Sequence, residues 1–496
     1  MNQAQDLMQK ARTAQPQVAQ AGLKQRLQEL QQWRKRIGDM REEIIDAIVA
    51  DTGKARTDAL VSEVMGVVDY LAWLVKAAPK ALQEEKVSTP LALMGKRSRI
   101  WYEPRGVVLV ICPWNYPFHI AATTIAAAFA AGNSVILKPS EYTPMQGLFE
   151  KTVAGLPLLS RALTVAYGEG TMGAQLVAAG PDYISFTGSA TTGRKISAAA
   201  AEQLIPVDLE LGGKDAMVVF EDANIKRTAQ GALWGAFTNA GQSCTAVERL
   251  YVQRSIYPQM QAELEAAMTT LVVAEEDKGD ADIGAITTPF QRDIILQHLE
   301  DAKEKGAKVL GGEVLVEGDK ALITPALVTE ATPEMRIMRE ETFGPVIVLL
   351  PFDEEEAVIQ AVNSSAYALS ASVWSKDLTR AQRVAAALRC GAVSINNVMV
   401  TEGNPALPFG GVGESGAGRV KGVEGLRGMA RSKAIMLDKQ SAKIEANWFP
   451  YTREKYALFA DLVEAMLGGA KQLLRFASVG TKLEKQAQAP RFPKDD

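Results

Sequence analysis

The sequence predicts an α/β fold built on parallel sheets, and three observations carry that reading. Strands and helices alternate from Gly106 to about Phe186, the pattern of a parallel sheet with crossover helices. A second alternating region runs from Lys214 to about Asn397. The chain has 496 residues, enough for roughly three domain-sized units and a large core.

The elements follow in chain order. Met1 to Gln20 is polar and glutamine-rich, without the apolar stretch that a secretory signal needs. Leu23, Leu27, Leu30, Trp33 and Ile37 recur every three to four residues as one helical face, and Asp51-Thr52-Gly53 supplies a stop with glycine at the cap. A second helical run covers about Thr57 to Leu82. Short strands begin after Pro90, as in Ser98 to Tyr102. Val107 to Ile111 reads as a buried strand, Ile120 to Ala131 as an alanine-rich helix, and Ser134 to Leu137 and Tyr183 to Phe186 as further strands. The second region closes on the strand Gly391 to Asn396. Beyond Ser441, one stripe holds Leu458, Phe459, Leu462, Val463, Met466, Leu467, Ala470, Leu473 and Leu474, opposite Asp461, Glu464, Lys471, Gln472 and Arg475. That is an amphipathic helix interrupted by Gly468-Gly469, expected to dock on the protein itself. An interfacial membrane contact or a lid over a lipophilic substrate are the alternatives. Lys485 to Asp496 is polar and expected to be disordered.

Composition narrows the function. A net charge of −4 gives no general attraction to nucleic acid or anionic lipid. Three cysteines argue against a disulfide framework and for a reducing compartment, with the cytoplasm as the default. His119 and His298 are the only histidines, so neither a histidine-based metal site nor a Ser-His-Asp triad is expected. No internal repeat is present, and no apolar run is long enough to span a bilayer.

Cys244 carries the chemical signal. It lies in Phe237-Thr238-Asn239-Ala240-Gly241-Gln242-Ser243-Cys244-Thr245, a stretch with no apolar periodicity that suits a turn presenting a thiol. Cys112, closing a buried strand, and Cys390, before Gly391, read instead as small core residues. A thiol attacks as the thiolate, and a carboxylate such as Glu210, in Glu210-Leu211-Gly212-Gly213-Lys214, can take a proton or activate water. Pro113-Trp114-Asn115-Tyr116-Pro117 sets a side-chain amide where it can donate to a developing oxyanion. Gly168-Glu169-Gly170-Thr171-Met172-Gly173 fits G-x-G-x-x-G but lacks the acidic residue expected about twenty positions on. Phe186-Thr187-Gly188-Ser189, a strand, a glycine turn and a helix start, is the better phosphate site.

With Lys138-Pro139-Ser140-Glu141, Glu341-Thr342-Phe343-Gly344-Pro345 and Pro408-Phe409-Gly410-Gly411, the segments around Asn115, Gly188, Glu210 and Cys244 resemble the aldehyde dehydrogenase superfamily. Seven segments in the family's order extend across most of the chain. The resemblance implies two Rossmann-type parallel-sheet domains plus a small bridging β-hairpin. The cofactor domain would cover 1–208, with about 87–105 in the hairpin, and the catalytic domain 209–400. Residues 401–440 would return to the cofactor domain and supply the oligomerisation strand, ahead of a tail from 441 to 496.

By the same resemblance, Cys244 attacks an aldehyde carbon, Asn115 stabilises the oxyanion, and Glu210 activates the water that hydrolyses a thioester to a carboxylic acid. The cofactor residues would be Lys138 and Glu141 for the adenosine ribose, Gly188 and Ser189 for the pyrophosphate, Glu341 with Phe343 for the nicotinamide ribose, and Trp114. Trp114 is placed in that set without a contact of its own. Glu141 accepts from a ribose 2′-hydroxyl and repels a 2′-phosphate, which favours NAD while leaving NADP possible. Asn115 falls early in the chain, more similar to the dimeric class 3-like branch, so a homodimer is expected. A CoA-acylating or reductive relative and a catalytically silent binding protein remain as alternatives. No arginine is evident beside Cys244, and an apolar aldehyde is the expected substrate.

Overall fold

The computed structural model describes residues 3–93, 95–274, 277, 279–438 and 444–488. Two compact units emerge: Met1–Gln83 with Tyr102–Lys433, and Glu84–Trp101 with Ala434–Asp496.

Within the first unit lie two mainly parallel sheets. The six-stranded one has the order Gly416–Ala417, Val207–Glu210, Tyr183–Thr187, Val107–Ile111, Ser134–Lys138, Leu163–Val165. Its pairings are parallel except at the Gly416–Ala417 edge. Val108, Val110, Val135 and Leu137 face a core shared with Leu30, Trp33, Leu71 and Phe129, whereas Val107, Leu109, Ile111 and Ile136 face Met8 and Leu176. Cover on both faces explains why these strands read as unbroken apolar runs. The seven-stranded sheet has the order Lys308–Gly311, Ala326–Thr329, Val346–Phe352, Val247–Gln253, Asp215–Val219, Ser370–Trp374, Ala392–Ile395, antiparallel only at Lys308–Gly311.

The strand order of the six-stranded sheet reverses between Val107–Ile111 and Tyr183–Thr187. From the first, the chain moves outward to Ser134–Lys138 and Leu163–Val165, then returns to the other side. The loops after Ile111 and Thr187 therefore flank a topological switch point, where open α/β sheets form their ligand crevice. The segment Glu210–Lys214 crosses from the end of the six-stranded sheet to the first strand of the seven-stranded one.

Several elements differ from expectation. The glutamine-rich start is a helix, Gln3–Gln20, that buries Ala4, Met8, Ala11, Ala14 and Val18. Small side chains at helical spacing made this face hard to recognise as apolar. Strands Glu85–Val87 and Arg97–Pro104 pair antiparallel, and Ala430–Leu437 completes a three-stranded sheet. The tail is two helices, Arg453–Leu467 and Leu473–Ala487, joined by a short turn at Gly469, whose φ is +63°. Lys485–Ala487 is thus helical rather than disordered, and the rest of that expectation, 489–496, lies outside the described residues. Nor is the stripe buried as a whole. Leu458, Phe459 and Leu462 are half-buried, but Val463, Met466, Leu467, Leu473 and Leu474 are exposed. No helix among the described residues is long and apolar enough to cross a membrane.

Candidate active site

Asn115 enters the site on a buried scaffold. The Lys54 Nζ pairs with Glu63 Oε1 at 2.5 Å and donates to the Asn115 carbonyl at 2.7 Å. Glu63 Oε2 accepts from the backbone N–H groups of Phe118 (2.8 Å) and His119 (3.2 Å), so one buried ion pair fixes the loop at Asn115 and just after it. The Asn115 side-chain amide donates to the Gln242 carbonyl at 2.9 Å. Asn239, at φ +53°, donates to both the Asn115 and Gln242 carbonyls, at 3.1 and 3.0 Å. Two residues beyond Gln242, the chain reaches Cys244.

Cys244 is half-buried, between the distorted turn Thr238–Gly241 and the strand Val247–Gln253. A Cβ on Gly213 would collide with the Cys244 carbonyl, so glycine there lets the Glu210–Lys214 crossover run against the cysteine backbone. Burial pushes the thiol well above its ordinary value, and the carboxylates of Glu402, Asp215, Glu341 and Glu210 push it further. Glu210 closes the strand Val207–Glu210 with only 4% of its surface exposed. Both its carboxyl oxygens are buried without a hydrogen-bond partner. Burial, then repulsion from Asp208, drives its titration well above the usual carboxylate range, opposed by Arg419 and Lys421.

Glu341 and Phe343 reach the site through a second buried pair. Lys214 is fully buried against Glu248 and donates to Thr342 Oγ1 at 3.2 Å. Glu248 in turn accepts from the Thr342 and Phe343 backbone N–H groups at 2.9–3.0 Å. Glu341 accepts from the Gly213 N–H at 2.8 Å, and burial raises it to about 8. The Phe343 ring, held at φ +53°, meets Trp114 edge-on with centroids 5.3 Å apart.

Across the switch point, Lys138 ends its strand buried and donates to Glu141 Oε2 at 2.8 Å. Burial tends to raise Glu141, but Lys138 and nearby backbone N–H groups outweigh it and keep the carboxylate ionised. Ser189 caps the twelve-residue helix Ala190–Ala201, its Oγ accepting from the Thr192 N–H. Preceding it, Gly188 packs so closely on the Phe186 ring that a side chain there would collide. The bare turn and the exposed cap leave helix N–H groups open to an anion.

Cys244, Glu210, Asn115, Glu341 and Phe343 therefore converge where the two sheets meet. On the Lys138–Glu141 side, the Trp114 carbonyl accepts from Thr143 Oγ1 at 3.3 Å. Sequence reading missed three further neighbours. Thr245 Oγ1 donates to Glu402 Oε2 at 3.0 Å, and Lys421 Nζ donates to the Glu402 carbonyl at 2.7 Å. The positions of Glu402 and Lys421 depend on the path of the chain between Val400 and Gly422, which no periodicity encodes. Cys112 is buried, and burial raises the half-buried Cys390 to about 12.

The profile of the aldehyde dehydrogenase family matches residues 1–435. A 4,4'-diapolycopene aldehyde oxidase of Methylomonas sp is 40% identical over 453 residues, covering 91% of this chain and 84% of that one. Among solved structures, betaine aldehyde dehydrogenase from Staphylococcus aureus, in complex with NAD+, is 31% identical with a TM-score of 0.83, covering 90% of this chain and 89% of that one. An indole-3-acetaldehyde dehydrogenase from P. syringae, also with NAD+, is 29% identical with a TM-score of 0.83, covering 88% and 89% respectively.

Proposed function

This chain belongs to the aldehyde dehydrogenase family, and from that premise we propose that it oxidises an aldehyde to the free carboxylic acid with NAD or NADP. The observation that carries the reading is the Glu210 carboxyl, buried without a partner close to a half-buried cysteine. A carboxyl group held this way has a raised proton affinity and an unfilled hydrogen-bonding capacity, both of which suit a general base for water.

The residues take these roles. The Cys244 thiolate adds to the aldehyde carbon, and the Asn115 amide, together with the Cys244 N–H, steadies the oxyanion. A nicotinamide dinucleotide, when bound, supplies the hydride acceptor that turns the Cys244 thiohemiacetal into a thioester. Glu210 then draws a proton from water as the water attacks the thioester carbon. The acid leaves and the thiol is restored. Glu141 and Lys138 hold the adenosine ribose, Gly188 and Ser189 receive the pyrophosphate, Glu341 and Phe343 position the nicotinamide ribose, and Trp114 borders that pocket. The bare Gly188 turn and the Ser189-capped helix suit a pyrophosphate. Glu141, kept ionised by Lys138, favours NAD.

A deacylating base favours hydrolysis over transfer of the acyl group to CoA. The substrate is an apolar aldehyde, in keeping with a relative named for a diapolycopene aldehyde. Among the branches, the class 3-like homodimer suits the mostly exposed strand Ala430–Leu437 at a sheet edge, a surface that a second copy can extend. Three free cysteines suit the cytoplasm. Assaying medium-chain aldehydes and succinic semialdehyde with NAD and NADP, with and without CoA, tests the proposal. Free acid should form without CoA, fastest from apolar aldehydes. A requirement for CoA would refute the hydrolytic step, and preference for succinic semialdehyde would refute the substrate class.

A further inference from the structure

Lys421, whose charge acts on Cys244 and Glu210, breaks two local rules at once. Its backbone sits at φ +59° and ψ 179°, a region normally left to glycine, and it caps the N-terminus of the helix Gly422–Gly428, where the helix dipole disfavours a cation. Strain of this kind persists where the surroundings impose it and is concentrated at functional sites. The surroundings here are specific. The Lys421 ammonium donates to the Glu402 carbonyl at 2.7 Å, and the Glu402 carboxylate accepts at 3.0 Å from Thr245, next in sequence to Cys244. On its other side the ammonium lies 5.8 Å from the Phe409 ring centre. Phe409 precedes Gly410, whose bare Cα lies against Glu210 Oε1.

We propose that Lys421 is a positioning residue whose ammonium supplies the counter-charge for the Cys244 thiolate and the Glu210 carboxylate. The proposal rests on the function assigned above to those two residues. The need for such a charge follows from what faces the thiol. Carboxylates reach it from four segments, Glu402, Asp215, Glu341 and Glu210, and all of them disfavour the thiolate. Tyr116, on the Asn115 loop, is half-buried nearby, and its phenol is driven well above its usual value by burial and then by Glu402. Asp208 repels Glu210 from within its own strand, and Arg419 opposes that repulsion. Burial lowers Lys421, while Glu402, Cys244 and Glu210 hold its proton, and its charge in turn lowers half-buried His119. Removing the ammonium leaves a thiol among carboxylates.

The test measures Cys244 alkylation by iodoacetamide against pH, without aldehyde or dinucleotide, with the alkylated cysteine identified by peptide mass. Because no turnover is required, failure of this proposal is distinguishable from failure of the oxidation reading, which the aldehyde assays decide. The Lys421→Met variant should alkylate Cys244 about tenfold more slowly at neutral pH, equivalent to one pKa unit on the thiol. Lys421→Arg should recover most of that rate. Lys421→Gly should match Lys421→Met in alkylation but melt higher, because glycine tolerates the backbone that lysine is forced to adopt. Alkylation profiles in Lys421→Met and Lys421→Gly that superimpose on the parent would overturn the proposal. So would a loss in Lys421→Met that Lys421→Arg does not restore.

Discussion

Replacing Glu210 by glutamine should stabilise the protein near pH 8 while abolishing its turnover. Both carboxyl oxygens are buried without a partner, and a buried polar group left unsatisfied costs about 1–3 kcal/mol, more when charged. Glutamine keeps the shape and removes the charge, so a gain of about 1–3 kcal/mol is expected where the parent carboxyl is ionised. The pH dependence fixes the sign. Burial, then Asp208, raises the folded-state carboxyl above its ordinary 4.5, so the folded protein binds this proton more tightly than the unfolded chain does. The parent's stability from this group is therefore complete below 4.5 and declines as pH rises toward the raised folded value. Glutamine does not titrate, so the variant's advantage should be absent near pH 4 and grow toward pH 8. Scanning calorimetry of both proteins across that range at constant ionic strength reads the difference. An advantage independent of pH, or a loss of stability at pH 8, would refute the reasoning.

Two further outcomes follow from buried or partly buried charges. Lys54→Met strands Glu63 in the interior and should cost about 3–5 kcal/mol in urea denaturation; because Lys54 also holds the Asn115 carbonyl, kcat should fall more than KM changes. Glu141→Gln should raise the NADP-to-NAD ratio of kcat/KM, since repulsion of a 2′-phosphate is on the order of 1–4 kcal/mol. With about a third of that side chain exposed, the lower end is expected, and an unchanged ratio would mean Glu141 does not face the ribose.

Much of the fold was legible because its strands are covered on both faces. Val107–Ile111 and Ser134–Lys138 need apolar residues at every position, and the sequence supplies nearly continuous runs there. The helix Leu23–Asp39 was legible for a similar reason, with large residues at Leu27, Leu30, Trp33 and Ile37 marking one face. Gln3–Gln20 buries mainly alanines, whose hydrophobic signal is faint. In the tail, Val463, Met466, Leu467, Leu473 and Leu474 stay exposed, because periodicity tells which side chains share a face and not what covers them.

The candidate site divides along the same line. Cys244, Glu210 and Asn115 stand in short motifs that carry their own chemistry, so their convergence could be anticipated. Lys54 and Glu63 look like ordinary helix-surface charges until the fold buries them together beneath Asn115. The burial of Lys214 was not legible, because the buried partner that neutralises it, Glu248, lies on a separate strand. Glu402 lies in the short helix Val400–Gly403 and Lys421 just before the helix Gly422–Gly428, and their pairing left no trace in sequence spacing.

The central claim is a covalent acyl intermediate on Cys244 released by Glu210, and single-turnover analysis of Glu210→Gln tests it most directly. The account predicts one burst of reduced nicotinamide per active site, followed by a stall, with the acyl mass found on the Cys244 peptide. Continued turnover at neutral pH, or a burst that leaves no adduct on Cys244, would contradict it.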